Sequence, residues 1–349
     1  MSWGIVATVD EPAPLIIAFA GWHLAQGASE IHLYFDRPNP EAEAVVASLP
    51  GVHVTTCDPA YWQRAHGGNR RNRQTGRQIQ NAEHARARSA VTWLLHSDAD
   101  EFVTDGAQIG AAIRDVDPET HVIRLRVMER AERRDTMSAH IFDGVFRRRD
   151  WDYWKHGERY FGRWAKFLGY GLSGHLVGKV MLRAGPRFRH DIHDARDVPG
   201  GTVLESEVKL DDALLHFDGL TRRHYVMKML RRVDQAHFMN PQGPDGSFRH
   251  RQIMFLKANA EAPQRVAMFY DGVKKLGPNQ IDALNALGLL SETPFDPRPA
   301  LQGLGIDVDL SPAAFDRALA SREPEVMARY ATLFAGLDET GAGSDPTPA

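Results

Sequence analysis

Residues 91–102 read VTWLLHSDADEF, and the organisation of the first half of the chain follows from how this stretch is placed. Trp93, Leu94 and Leu95 form a short apolar run of the kind that a parallel sheet buries on both faces. The run ends in Asp98, Ala99, Asp100, Glu101 and Phe102. Side chains alternate along a strand, so Asp98 and Asp100 are expected on one side. Two carboxylates there repel unless a cation joins them. A hard divalent ion, Mg2+ or Mn2+, accepts such oxygens and keeps positions open for a diphosphate. An isolated Asp-x-Asp is also a common turn or helix cap. Here it follows an apolar strand and precedes a second acidic residue, which favours the metal reading.

Working outward, strand and helix signals alternate. Trp3 to Val9 reads as a buried strand, and Pro12 and Pro14 open a helix whose apolar residues run from Leu15 to Leu24, with Gly27 as its stop. Glu30 to Asp36 is a second strand, residues 40–48 a short Ala-rich helix and Val52 to Cys57 a third strand. Residues 62–77, with Arg64, Arg70, Arg71, Arg73 and Arg77, read as a polar basic loop leading into a helix from Gln78 to Ala90. Such alternation predicts a mostly parallel sheet with helices on both faces. Ligands of these sheets bind at the carboxyl ends of the strands. Asp10, Asp36, Asp58 and Asp98 all lie at or just past such ends.

Residues 120–220 look more β-like, with strands expected at 121–128, 141–147, 176–182 and 213–217. From Thr221 the pattern turns helical over 222–238, 248–275, 278–289 and 312–336, and residues 338–349 (DETGAGSDPTPA) read as a disordered tail. These signals divide the chain into a domain at 1–220, a helical region at 221–337 and the tail.

The chain has 349 residues, a formal net charge of −3 and 25% charged residues. That charge gives no global field for nucleic acid. One cysteine, Cys57, permits no internal disulfide. No basic-then-apolar leader and no membrane-length apolar run is present, which leads to the expectation of a cytoplasmic protein with room for peripheral membrane contact. No Walker-type or Gly-x-Gly-x-x-Gly phosphate cradle occurs.

WLLHSDADEF resembles the W-x-x-x-x-D-x-D-E-F signature of family 2-like bacterial glycosyltransferases with a GT-A fold, a Rossmann-like α/β architecture. Residues 9–36 (VDEPAPLIIAFAGWHLAQGASEIHLYFD), 77–86 (RQIQNAEHAR) and 214–229 (LLHFDGLTRRHYVMKM) resemble the same family in order and spacing, over residues 3–235 in all. The resemblance implies transfer of a sugar from a UDP- or GDP-sugar donor to a glycan or lipid-linked acceptor. It implies that Asp98 and Asp100 hold the metal and the donor diphosphate, that Glu101 supports the turn or faces the acceptor, and that Asp10, Glu11 and Asp36 lie in the nucleotide cleft. Arg77 and Lys179 are further donor-contact candidates. His193 and His216 are candidate third metal ligands, with His193 slightly favoured. Asp191 and Glu129 are candidate bases for an acceptor hydroxyl.

The basic helix face of Arg222, Arg223, Lys228, Arg231 and Arg232 could clamp a diphosphate or simply be solvated. The aromatic run around Trp151, Tyr153, Trp154, Tyr160, Phe161 and Trp164 could carry an acceptor or belong to a core. Two other functions stay open at this stage. A metal-dependent phosphoryl-transfer enzyme would use the same carboxylate pair, and a catalytically inactive glycan-binding protein could share the fold.

Overall fold

The computed structural model describes residues 1–185, 188–197, 207–233 and 246–339. In chain order the first elements are β1 (Trp3–Val9), α1 (Ala13–Ala25), β2 (Glu30–Phe35), α2 (Pro40–Val46), β3 (Val52–Thr56), α3 (Pro59–His66), α4 (Gln74–Arg86), β4 (Trp93–His96), β5 (Glu101–Val103) and α5 (Gly106–Asp115). Then follow β6 (Val122–Arg133), β7 (Val145–Arg147), α6 (Tyr153–Phe161), β8 (Lys179–Arg183), β9 (Phe188–His190), β10 (Ala195–Asp197) and β11 (Glu207–His216). The remainder is α7 (Arg222–Leu230), α8 (Gly246–Ala258), α9 (Pro263–Lys274), β12 (Lys275–Leu276), α10 (Pro278–Ala286), β13 (Leu290–Ser291), α11 (Arg298–Gly303), α12 (Pro312–Arg322), α13 (Pro324–Arg329) and α14 (Ala331–Glu339). None of the described helices is long and apolar enough to cross a membrane.

The chain forms two compact units. One comprises Met1–Met128, Val177–His216 and Asp296–Asp309; the other comprises Glu129–Leu176, Phe217–Phe295 and Leu310–Ala349. In the first, β3, β2, β1 and β4 pair in parallel, and β8 then pairs antiparallel with β4 and with the early part of β6. All seven residues of β1 are buried, as expected for a central parallel strand covered on both faces. Tyr61, Trp62, Ala82 and Ala85 from α3 and α4 pack on Val6, Tyr34 and Leu94. On α1, Phe19 and His23 meet Phe102 of β5, and a Cβ on Gly21 would overlap the Leu301 side chain of α11. Cys57 is buried, and burial pushes its thiol up to about 12, so it behaves as core.

Several sequence expectations need correction. The basic stretch 62–77 is not one loop: α3 runs to His66, with Asp58 capping its N-terminus and Gly67 ending it at φ +64°, and α4 starts at Gln74. The helix expected at 248–275 is two, because Pro263 starts α9, and the one expected at 312–336 is three, with Pro324 opening α13. The tail expected at 338–349 lies largely outside the described residues; Asp338 and Glu339 belong to α14.

Gly178 precedes β8 at φ +79°, and a Cβ there would lie 2.0 Å from the backbone oxygen of Leu125. Both the dihedral and the space demand glycine. Gly178→Ala should therefore destabilise by roughly 2–5 kcal/mol, combining backbone strain with overpacking. Urea unfolding checks this, and a loss within 1 kcal/mol would contradict it.

The second unit has a small sheet, in which β7 pairs with the last part of β6 and with β13, and β12 pairs with β6. Helices dominate it from Arg222 onward. Phe142, Phe146, Phe217 and Phe295 meet edge to face or tilted in one part of its core. In another, Trp164 meets Phe255 and Phe269 edge to face, Phe167 meets Phe255 edge to face, and Phe255 stacks on Phe269.

Candidate functional site

Four carboxylates gather past the carboxyl ends of β1 and β4, namely Asp10, Glu11, Asp98 and Asp100. Burial raises the Glu11 pKa most, and the charges of Asp100, Asp10 and Asp98 add to it, bringing it up to about 7 against the hydrogen bond from the Asp10 amide. Asp10 also pairs with the Arg37 Nε at 2.6 Å.

Asp98 and Asp100 lie in a turn between β4 and β5, closed by the Glu101 amide donating to the Asp98 carbonyl at 3.1 Å. They are not alternate residues of a strand, and their carboxylates have different partners. Asp98 accepts from the Gln78 side-chain amide of α4 and from Lys179 Nζ of β8 at 2.8 Å. Burial is the largest influence and opposes its charge, as does Glu101, but the charge and hydrogen bond of Lys179 together with His96 bring its pKa down to about 2. Lys179 is fully buried; the charges of Asp98, Glu101 and Asp100 overcome its desolvation and raise its pKa. Glu101 is also fully buried: Ser97 Oγ and the Asp98 amide donate to it at 3.0 and 2.8 Å, and Lys179 Nζ lies 3.5 Å away. It therefore braces the turn from inside.

Asp100 faces His216. The antiparallel register sets Leu214, Leu215 and His216 of β11 against Val103, Phe102 and Glu101 of β5. This brings His216 Nε2 to 3.8 Å from Asp100 Oδ2, with both side chains largely buried. One carboxylate oxygen and one imidazole nitrogen at this spacing fit a shared divalent ion with open positions. Asp98 fits that role less well, since an amide and an ammonium already occupy its oxygens. Among the described residues this turn brings no three ligand atoms within 4.8 Å of one another. His193 has its Nδ1 at 3.1 Å from the Gly178 carbonyl, and the carbonyl of its neighbour Ile192 accepts from Lys179 Nζ at 3.1 Å.

Asp36, just past β2, is spanned by two arginines. Arg70 reaches it with Nη2 at 2.7 Å and Arg77 with Nη2 at 2.8 Å. Arg77 is buried on α4 and also donates to the carbonyls of Arg71 and Asn72, both at 2.8 Å, so it ties the basic segment down. Asp191, between β9 and β10, pairs with the exposed Arg196 at 2.7 Å.

Glu129 is a candidate base that the structure buries completely, in the second unit. It accepts from Arg147 Nη2 at 2.7 Å and from the Ser173 amide, Ser173 Oγ and the Gly174 amide, with Lys274 at 3.5 Å. A carboxylate so engaged serves as a structural hub. The basic face of α7 is internally paired: Arg222 meets Asp271, Arg223 meets Asp338, Lys228 meets Asp218 and Arg231 meets Glu323. The aromatic run divides, with Trp151 and Trp154 exposed and Phe161 buried.

Gln78 is the contact that sequence reasoning missed. Its signal was available: Arg77, Gln78 and Asn81 are polar yet share the buried stripe of α4 with Ala82 and Ala85.

Glu11 makes a pH test possible. Its folded pKa lies above the unfolded one, so its contribution to stability is fully present below about 4.5 and is lost as pH rises through about 7. With a chelator present, Glu11→Gln should raise the melting temperature relative to wild type at pH 8 and not at pH 4. Equal shifts at both pH values would remove this account.

No protein-family model matches the chain, and no curated protein matches it. Among solved structures it is similar to residues 1–349 of TarS from S. aureus, at 11% identity and a TM-score of 0.33 over 99% of this chain and 93% of that one. Full-length TarS matches at 11% and 0.34, with 54% of its length covered. Glucosyl-3-phosphoglycerate synthase from Mycobacterium tuberculosis, in complex with Mn2+, UDP-glucose and phosphoglyceric acid, matches at 10% and 0.29 over 52% of this chain and 57% of that one. HddC from Yersinia pseudotuberculosis matches at 9% and 0.34 over 62% and 93%.

Proposed function

We propose that the chain is a metal-dependent glycosyltransferase of the GT-A type that moves a hexosyl group from a nucleoside-diphosphate sugar to a hydroxyl acceptor, with the donor site within residues 1–220. The observation that carries this reading is the Asp100–His216 pair past the carboxyl end of β4, beside the carboxylates of Asp10, Glu11 and Asp98, whose charges act on one another.

Asp100 and His216 would hold the Mg2+ or Mn2+, and the ion when bound would neutralise charge on the departing nucleoside diphosphate. The acceptor oxygen bonds to the anomeric carbon as the bond from that carbon to the diphosphate oxygen breaks; the electron pair leaves with the diphosphate, and the acceptor hydroxyl proton passes to a base or to the departing diphosphate. Lys179 and Gln78 hold Asp98 in one position, and Glu101 fixes the turn that aims Asp100. Arg70 is more exposed than Arg77, so it can turn from Asp36 to a phosphate while Arg77 keeps the segment anchored. If the reaction inverts configuration, Asp191 is the candidate base, since Glu129 is fully engaged.

Calorimetry with UDP and GDP, with and without Mn2+, followed by a donor-hydrolysis screen across nucleotide sugars, tests the reading. Mn2+-dependent binding with slow donor hydrolysis is the expected result. Nucleotide binding without any turnover would favour the glycan-binding alternative, and cleavage of simple phosphate esters would favour phosphoryl transfer.

A further inference from the structure

A second group of metal-ligand side chains lies at the opposite ends of the strands. His32 of β2 and His53 of β3 are direct partners in the parallel register, and Glu30 is two residues before His32 on the same face. The imidazoles stack with centroids 4.7 Å apart and planes 19° apart. Glu30 Oε2 lies 2.9 Å from His32 Nε2. One ligand atom from each of the three side chains falls within 4.8 Å of the other two, and among the described residues no other trio does so. We infer that Glu30, His32 and His53 form a binding site for a borderline divalent transition ion of the Zn2+ type.

The donor set is two imidazoles and one carboxylate, which suits Zn2+, Co2+ or Ni2+ better than Mg2+ or Ca2+. It leaves a fourth position for water. The site is half built. His32 is buried, and Glu30 is fixed by Ser89 Oγ at 2.6 Å and the Ala90 amide at 3.0 Å. His53 is exposed, so it is the ligand that can turn its ring to complete the set. Zinc ligand atoms sit about 2.0–2.2 Å from the ion, so a small rotation of His53 suffices to close the trio. The ion takes the Nε2 position that now donates to Glu30, so the neutral ring moves its proton to Nδ1 through solvent and no net proton leaves. Arg88 is the nearby cation that weakens binding, and Glu30 is the nearby charge that offsets it.

The location gives the site a distinct consequence. β3 is the edge strand of the parallel set, paired only with β2 among the described residues. An ion shared by His32 and His53 staples that edge to the interior. His32 is four residues before Asp36, about 13 Å along the strand at 3.3 Å per residue, so the site is separate from the donor cleft.

The test uses the full chain carrying Asp100→Asn, which disables the other candidate metal site, and titrates Zn2+ by calorimetry and Co2+ by absorption. One equivalent of Zn2+, imidazole-type Co2+ bands and a raised melting temperature are expected. Adding His53→Ala, a change at an exposed position that should fold normally, is expected to weaken Zn2+ binding at least tenfold and abolish the bands. Absence of Zn2+ binding, or binding that is the same with and without His53, would overturn the inference.

Discussion

Asp100→Asn is expected to slow sugar transfer by about 100- to 1,000-fold, the magnitude seen when one preorganised group that stabilises transition-state charge is removed. The protein should not become less stable. The substitution is isosteric, and it takes one negative charge from a cluster in which Asp100, Asp10 and Asp98 all push Glu11 upward. In chelator, the melting temperature of the variant should therefore equal or exceed that of wild type at neutral pH. Added Mn2+ should raise the wild-type melting temperature and leave that of the variant unmoved. Opposite signs on activity and stability are the mark of a residue placed for function at the expense of stability. His216→Ala should reproduce the loss of Mn2+ response. Full transfer activity in Asp100→Asn would remove the basis of the proposed function.

Lys179→Met is expected to destabilise the protein by about 3–5 kcal/mol, the range for removing one partner of a buried ion pair. Met keeps most of the volume, so cavity formation contributes little. What remains is the Asp98 carboxylate and the fully buried Glu101 with no ammonium between them. The pH dependence separates this cause from simple misfolding. In wild type the depressed Asp98 pKa contributes stability that is present above about 3.8 and lost as pH falls toward about 2. In the variant that acid-side loss should shrink, because Asp98 no longer has Lys179 to keep it ionised. A variant that unfolds with an unchanged acid limb, or loses less than 1 kcal/mol in urea, would refute the assignment.

The parallel half of the fold was legible because burial leaves a simple mark. β1, β2 and β4 are apolar runs bounded by turn residues, and each was found within a residue or two of its observed ends. The later helices were harder. Apolar spacing continues across Pro263 and Pro324, and only the missing amide of proline divides the run.

The site was partly legible for a different reason. Carboxylates at strand ends can be read from one segment, but their partners come from distant ones. The amide of Gln78, the ammonium of Lys179 and the imidazole of His216 meet the turn only through tertiary packing and register. Alternation along a strand wrongly paired Asp98 with Asp100, because the chain leaves β4 before reaching them. Spacing could not rank His193 against His216 either; the pairing of β11 with β5 is what puts His216 beside Asp100.

The contact between Asp98 and Lys179 spans 81 residues of sequence. During synthesis, the acidic turn therefore leaves the ribosome well before the ammonium that balances it. Until β8 has been made and has docked against β4, the carboxyl ends of the early strands carry mutually repelling charges that favour hydration over burial. A nascent chain halted before residue 179 should accordingly remain open to proteases around residues 98–101, and protection there should appear only after β8 has cleared the exit tunnel.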